Sequence, residues 1–497
     1  MELPKICLVL TGKTLKEDLE ILNKYRKYID MVELRVDHLD DDERLYVRRF
    51  PSLAKIPCLL TIRRKIDGGQ FVEGESARTI LFARALSFAD EDKSQNFQFV
   101  DFEEDFHIPS LEEATIAFGT QIIRSVHAMN EPIHNIANRL QKLKGSRFEI
   151  PKIAFMPETL DDVTNLFKEA SLLRDNNHIL VAMGNVGIPT RLLGAKLKNF
   201  LTYTTAPDQM ENVSNITHID VTQLKNIYHF REVTDQTKIF GITGWPLTGT
   251  SSPVIHNAGF DNHGMNSLYI PFAAETFDQA LRFADTVGIE GISVTVPHKE
   301  AVLDKASYVD DCAKDIGASN TLVRRGCQWF AYNTDAYGFS KALLEFTGFK
   351  NLKRKKVAII GAGGAAKAIA YAVKELGADA CVFNRTLKKA KMLAEKYGFK
   401  YASLGPESNE MLKKYSQIII QTTSKGMHAK GPSNADNDPV YFYEFNGTEI
   451  VFDIIYMPAE TPIMARAREA GCRSCNGILM LRYQGYKQFE LFTGVPY

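Results

Sequence analysis

The sequence predicts an α/β protein, a closed (β/α)8 barrel followed by a two-domain unit that ends in a doubly wound parallel sheet. Three observations predict it. Residues 1–230 alternate short apolar runs with longer amphipathic ones, a polar segment interrupts the pattern at 231–238, and a strand, glycine turn and helix follow from Lys355. At 497 residues the chain exceeds one ordinary domain, so several cores are expected.

The strand-like runs of the first part are KICLVLTG from Lys5, MVELRVD from Met31, CLLTIRR from Cys58 and FQFVDFEE from Phe97. QIIRSVHA from Gln121, IPKIAFMP from Ile150, HILVAMGN from His178 and FLTYTTAP from Phe200 complete the set. Between them, segments such as LKEDLEILNKYRKYI and ETLDDVTNLFKEASLLR space their apolar residues by three and four, as helices do. About eight such units in roughly 225 residues is the count and size at which a parallel sheet closes into a barrel. The polar run REVTDQTK (231–238) reads as a linker. Strands are then expected around Leu268 and Ile292, a helix near Phe339 to Phe346, a strand at Val357–Ile360 and a helix from Lys367 to Leu376. The resulting division is 1–230, 238–338, 339–473 and a closing helix at 474–497 that returns to the second domain.

Composition narrows the function. Hydrophobic content of 45% and charged content of 24% are those of a soluble globular protein. The 60 basic and 60 acidic residues cancel, which leaves no field for nucleic acid or an anionic membrane and points to small-molecule work. The opening MELPKICLVLTG is too short and weakly charged for a signal peptide, and no stretch reaches membrane-spanning length. An odd count of seven cysteines suits reduced thiols in a cytoplasmic setting. Cys472 and Cys475 form a CxxC without a second pair or a histidine cluster, so no metal site is expected.

Gly361–Ala362–Gly363–Gly364–Ala365 follows the Val357–Ile360 strand directly. Gly361 permits the tight turn, and Gly363 lets backbone amides approach a pyrophosphate at the helix N-terminus. The next strand ends in Asn384–Arg385–Thr386, with Lys388 and Lys389 behind. Where an NAD site places a carboxylate for the ribose hydroxyl, Arg385 and Lys389 offer cations for a 2′-phosphate, so the expected cofactor is NADP on a Rossmann domain.

Lys299 in SVTVPHKE, Asn320 in GASNTLV, Asp335 in AYNTDAYGF and Gln484 in GILMLRYQG share this half. A lysine beside an aspartate can supply the proton that a developing alkoxide needs. With GAGGA and NRT, these segments resemble the shikimate dehydrogenase family. The resemblance implies Lys299 and Asp335 as the catalytic pair. It implies Thr295, Asn320 and Gln484 as substrate-binding residues, with Tyr456 and Gly477 on the nicotinamide side. The family's Ser-x-Ser-Pro stands here as Thr250–Ser251–Ser252–Pro253, so Thr250 and Ser252 would meet a carboxylate, and Thr250 carries an added methyl. Quinate dehydrogenases are the nearest alternative, and Thr295 inclines the reading towards shikimate.

In the first half, charged residues fall near the ends of apolar strands, at Glu33, Arg35, Arg63, His127 and Lys152. The C-terminal face of a barrel is where such residues act. A lysine in an apolar barrel mouth is disfavoured as the ammonium form and so becomes a candidate for imine chemistry. Across residues 4 to about 225 the chain resembles type I 3-dehydroquinate dehydratase. The resemblance implies Lys152 as the Schiff-base lysine, His127 as general acid/base, and Glu33, Arg35 and Arg63 as grips for ring hydroxyls. It implies Met183 over the imine and Arg191 with Thr205 and Gln209 at the carboxylate. Asp67 stands where the family has Glu and is expected to orient His127, while Asp208 replaces a glycine in Thr205–Ala206–Pro207–Asp208–Gln209.

Together the halves resemble bifunctional enzymes that turn 3-dehydroquinate into 3-dehydroshikimate and then, with NADPH, into shikimate. Two other readings exist. One half could be a degenerate binding module, which Asp67, Asp208, Thr250 and Ser251 favour and the intact Lys152–His127 and Lys299–Asp335 pairs oppose. Alternatively, an aldolase-type barrel could be fused to a generic reductase, which the Glu33, Arg35, Arg63 and Arg191 set opposes.

Overall fold

A computed structural model describes residues 3–87, 90–145, 148–174, 177–213, 219–247, 249–427 and 431–497. The eight apolar runs of the first part become β1 (Lys5–Leu10), β2 (Met31–Arg35), β3 (Cys58–Thr61), β4 (Phe99–Glu103), β5 (Gln121–Ala128), β6 (Glu149–Phe155), β7 (Ile179–Ala182) and β8 (Leu201–Thr205). Neighbouring strands pair in parallel in the order β7–β6–β5–β4–β3–β2–β1–β8. Strand residues alternate between faces, so every second side chain enters the lumen. Cys7, Met31, Leu59, Phe99, Ile123, Ile150, Ile179 and Leu201 form an apolar layer there. Two residues further along the same strands come Glu33, Thr61, Asp101, Ser125, Lys152 and Tyr203, all buried. One register therefore builds an apolar floor and sets a polar layer above it.

The seam between β7 and β8 is closed by a side chain. Asn199 lies just before β8, and its amide accepts from the Leu180 N–H at 2.9 Å and donates to the Leu180 carbonyl at 2.9 Å. The amide thus satisfies both backbone groups that a further strand residue would have met. Phe200 N adds a bond to the His178 carbonyl at 2.8 Å.

Up to Ile289 the chain forms one compact unit, and Glu290–Tyr497 forms a second. Beyond the barrel, the first unit contains β9 (Lys238–Thr243) parallel to β10 (Ser267–Pro271), with helices at Ser252–Asn262 and Phe277–Val287. The anticipated linker is shorter than its polarity suggests, because Phe230–Glu232 turns as a 3-10 helix and Lys238 already begins β9. Helix Phe277–Val287 docks on the barrel helix Leu160–Ser171. Phe283 meets Phe167 edge-on at 5.8 Å, and Arg282 binds both oxygens of Asp161 at 2.8 and 2.6 Å.

In the second unit, β11 (Ile289–Val294) pairs antiparallel with β13 (Thr321–Arg325), which pairs antiparallel with β14 (Gln328–Tyr332). The short β12 (Tyr308–Val309) runs parallel to β14. A six-stranded parallel sheet follows, from β15 (Lys356–Ile360), β16 (Asp379–Asn384), β17 (Lys400–Ser403), β18 (Ile418–Gln421), β19 (Ile450–Asp453) and β20 (Arg473–Cys475). Its order, β17–β16–β15–β18–β19–β20, reverses direction at β15, the switch point where doubly wound sheets bind dinucleotides. Two helices begin earlier than their periodicity suggests, at Asp335 and Gly364, since the first turn of each is polar or glycine-rich. Among the described residues, no helix is long and apolar enough to cross a membrane.

Replacing Asn199 by Ala should strand two buried backbone groups at the seam. The expected loss is about 3 kcal/mol of barrel stability, read as a lower denaturant midpoint; an unchanged midpoint would show that the seam closes without the amide.

Candidate active sites

The polar layer of the barrel is a network of buried charges. Asp101 on β4 joins two cations through its Oδ2, Lys152 Nζ at 2.9 Å and Arg63 at 2.8 Å, while its Oδ1 accepts from Ser125 Oγ at 2.5 Å. Burial works against the Asp101 charge, yet Arg63 and Lys152 outweigh it and hold the carboxyl well below the usual range. Arg63, two residues past β3, also reaches Glu103 at 2.5 Å and lies 3.3 Å from His127 Nδ1. The second Glu103 oxygen takes Arg78 at 2.7 Å. Thr61 donates to Glu33 at 2.7 Å. Arg35 binds Asp37 through two bonds of 2.9 and 2.8 Å, so that despite burial the Asp37 carboxyl is drawn down to about 2.

Above this layer a cavity of about 60 Å³ opens at the C-terminal mouth. Glu33, Arg35, Arg63, Asp67, His127, Lys152, Met183 and Arg191 line it, joined by Met129 and Tyr203. The surroundings of Lys152 are not the apolar mouth expected from its strand, because Asp101 opposes its ammonium and the Tyr203 ring centroid lies 4.6 Å from Nζ. Burial first, then Arg63 and Lys152, push the His127 imidazole well below its ordinary value, which keeps it neutral. Burial also lowers the Arg191 guanidinium to about 10, still charged at neutral pH.

Asp67 lines the same cavity as His127. Its carboxylate takes Arg64 Nε at 2.6 Å, and Arg63 is the group beside the imidazole. Asp208 turns outward to Lys24 at 2.6 Å, so its charge faces solvent and α-helical lysine, away from the lumen. Thr205 is buried on β8, and Gln209 lines a second cavity at the same end of the barrel, with Thr11, Gly12 and His38. Neither lines the Lys152 cavity. The residues missed in the sequence are Asp101, Glu103, Arg78 and Tyr203. The alternation in VDFEE, acidic at every second place of an apolar strand, marks Asp101 and Glu103 as lumen-facing.

In the second unit Lys299 Nζ meets Asp335 Oδ2 at 2.5 Å. Asn320 donates to Asp335 Oδ1 at 2.9 Å and to Gln484 Oε1 at 3.2 Å. Gln484 arrives there because two helices approach closely at Gly338, where an added Cβ would stand 2.7 Å from Gln484 Cβ. Thr295 follows β11 in the loop that carries Lys299. Thr250 and Ser252 lie in the first unit, at the start of helix Ser252–Asn262, where Thr250 Oγ1 accepts from Ser252 N at 3.2 Å.

The residues at the switch point fit a dinucleotide phosphate. Gly361 has φ +115°, and a Cβ there would lie 2.4 Å from Thr422 Oγ1, whereas Gly363 and Gly364 face open space at the N-terminus of helix Gly364–Glu375. Gly361 N donates to the Phe383 carbonyl at 2.7 Å, and Ala362 and Ala365 belong to the same turn. Asn384 donates to the Thr386 carbonyl at 3.0 Å, and Arg385 and Lys389 are exposed beside it. Tyr456 follows β19, and Gly477 follows β20 with its N–H on the Ile455 carbonyl at 3.0 Å. A Cβ at Gly477 would lie 2.0 Å from the Ile454 carbonyl, so only glycine fits.

The family of type I 3-dehydroquinase matches residues 6–235. The shikimate dehydrogenase substrate binding domain matches 242–322, and shikimate/quinate 5-dehydrogenase matches 344–433. The chain is similar to the chloroplastic bifunctional 3-dehydroquinate dehydratase/shikimate dehydrogenase of Arabidopsis thaliana, 31% identical over 486 residues, which cover 94% of this chain and 78% of that protein. It is also similar to the shikimate dehydrogenase (NADP(+)) of Methanothermobacter thermautotrophicus, 39% identical over 269 residues, 53% of this chain and 93% of the relative. Among solved structures, shikimate dehydrogenase from Aquifex aeolicus is 33% identical and superposes with a TM-score of 0.48, over 53% of this chain and 94% of its own.

Asp18, on the helix after β1, is buried beneath the rim. Its Oδ1 accepts from Gly12 N at 2.8 Å, and burial raises the carboxyl to about 7. A carboxyl raised in the folded state stabilises fully below its unfolded value and loses that contribution as pH rises through about 7, at about 1.4 kcal/mol per unit. Between pH of about 5 and about 8, Asp18→Asn should therefore lose less melting temperature than the parent chain. Parallel losses would mean that Asp18 does not titrate in this window.

Proposed function

Because this chain belongs to the bifunctional 3-dehydroquinate dehydratase/shikimate dehydrogenase family, we propose that its barrel dehydrates 3-dehydroquinate and its second half reduces the resulting 3-dehydroshikimate to shikimate with NADPH. The observation that carries this reading is the gathering of Lys152, His127, Arg63, Arg35, Glu33 and Arg191 around one cavity, together with the separate Lys299–Asp335 pair.

In the barrel, the Lys152 amine adds to the ring ketone, water leaves, and an imine joins the nitrogen to the carbonyl carbon. The iminium draws electrons from the adjacent C–H, whose proton passes to neutral His127. The protonated imidazole then returns that proton to the departing ring hydroxyl, so the net loss is one water. Hydrolysis of the imine releases the enone and restores Lys152. Arg35, Arg63 and Glu33 hold ring hydroxyls, Arg191 draws the carboxylate, and Met183 covers the imine. Asp101 keeps Lys152 and Arg63 in place, since its low proton affinity makes it a poor base.

In the second half, bound NADPH supplies the hydride that the ketone carbon receives. Lys299 and Asp335 deliver the proton to the carbonyl oxygen, and Thr295, Asn320 and Gln484 hold the ring acid. The Gly361–Ala365 turn receives the pyrophosphate, and Asn384, Arg385, Thr386 and Lys389 receive the 2′-phosphate. Tyr456 and Gly477 border the nicotinamide. The labour divides as 1–230 for dehydration, 238–338 with 474–497 for the second substrate, and 339–473 for the cofactor. We propose small-molecule partners and a cytoplasmic setting, and the seven free thiols support a reducing compartment.

Given 3-dehydroquinate and NADPH, the protein should generate enone absorbance and consume NADPH together. Borohydride added with substrate should leave a mass adduct on Lys152; its absence would remove the imine route. Lys299→Ala should abolish NADPH consumption while the enone still forms, and loss of both activities in a folded variant would contradict two independent sites. Arg385→Ala should raise the Michaelis constant for NADPH about tenfold and spare that for NADH, and an equal rise for both would place the 2′-phosphate elsewhere.

A further inference from the structure

Tyr203 projects from β8 into the Lys152 cavity, with its ring beneath the ammonium. The residue is buried, and among the described residues its hydroxyl has no hydrogen-bond partner. A buried hydroxyl left without a partner destabilises the site, a cost that a ligand acceptor in the cavity would remove. Burial, then the negative charges of Glu33 and Asp101, hold the phenol well above its ordinary value, so it enters any encounter near neutral pH as a donor. Arg191 lines the same cavity and is electrostatically coupled to Tyr203. Gln209, the second carboxylate-binding residue expected from the sequence, faces a different cavity.

We propose that the Tyr203 hydroxyl is a substrate-binding group of the barrel site, donating a hydrogen bond to the carboxylate of the ring acid that Arg191 attracts. A neutral donor on the same cavity wall as a guanidinium recognises an anion by direction as well as charge, where Arg191 alone supplies mainly charge. The position also fixes orientation. With the carboxylate drawn to β8, the ring extends across the lumen and presents its ketone to Lys152 on β6. The inference rests on the assignment of the barrel to 3-dehydroquinate.

Tyr203→Phe in the full chain tests it, since the ring beneath Lys152 is retained and only the hydroxyl is lost. The Michaelis constant for 3-dehydroquinate should rise about tenfold with kcat within about twofold. The reductase rate of the same preparation reports that the chain is folded. Calorimetric binding to the Lys299→Ala background separates a contact from a packing effect. Of the two sites for 3-dehydroshikimate, the variant should weaken the barrel site about tenfold and leave the second-half site as it was, and it should bind the analogue lacking the carboxyl group as the parent does. Equal losses for both ligands, or an unchanged Michaelis constant, would overturn the inference while leaving the barrel assignment standing. A parent chain that does not dehydrate 3-dehydroquinate would overturn both.

Discussion

Asp101 holds Arg63 and Lys152 on one carboxylate oxygen inside a barrel whose floor is apolar. Taking either cation out of water without that carboxylate would cost several kcal/mol. The cost is offset only while the geometry stays intact, and this ties the strands together. Arg63 extends the network to Glu103 and His127, and Glu103 extends it to Arg78 on the helix behind. A single buried anion therefore sets the position of the amine, the imidazole and the arginine between them. The chemistry proposed for the barrel inherits its alignment from this arrangement, because each reacting group sits on a neighbour that is itself held.

Much of this was legible before any coordinates. All eight barrel strands coincide with apolar runs, since each buries both faces and needs no distant partner to be recognised. Glu33, Arg35, His127 and Lys152 stood out because a charge inside such a run requires a reason. What was not legible is pairing. Asp67 was expected at His127, but Arg64, three residues away in the same turn, captures it. Asp208 looked like a threat to an anion site until Lys24, far away in sequence, turned it outward. Asn199 carries no signal at all, because an amide that imitates a strand backbone looks like any loop asparagine.

The second unit illustrates the opposite balance. Its dinucleotide turn is local, so glycine spacing and the cations after the next strand suffice to place it, and the sheet order follows the expected reversal. Gln484 joins Asn320 and Asp335 only through the close helix approach at Gly338, a contact that spacing along the chain cannot reveal. Local geometry is thus written in short motifs, and convergence of distant residues is written in packing.

The docking of Arg282 on Asp161 and of Phe283 on Phe167 bears on how such a chain can change over generations. The polar stretch near residue 235 looks like a natural breakpoint for exchanging one catalytic half for another, yet a crossover there separates both partnered pairs. A hybrid that joins the barrel of one lineage to the remainder of another would bring together faces that were never selected against each other. Before such a hybrid packed as this chain does, the surfaces around Asp161 and Phe167 would have to be refitted to those around Arg282 and Phe283.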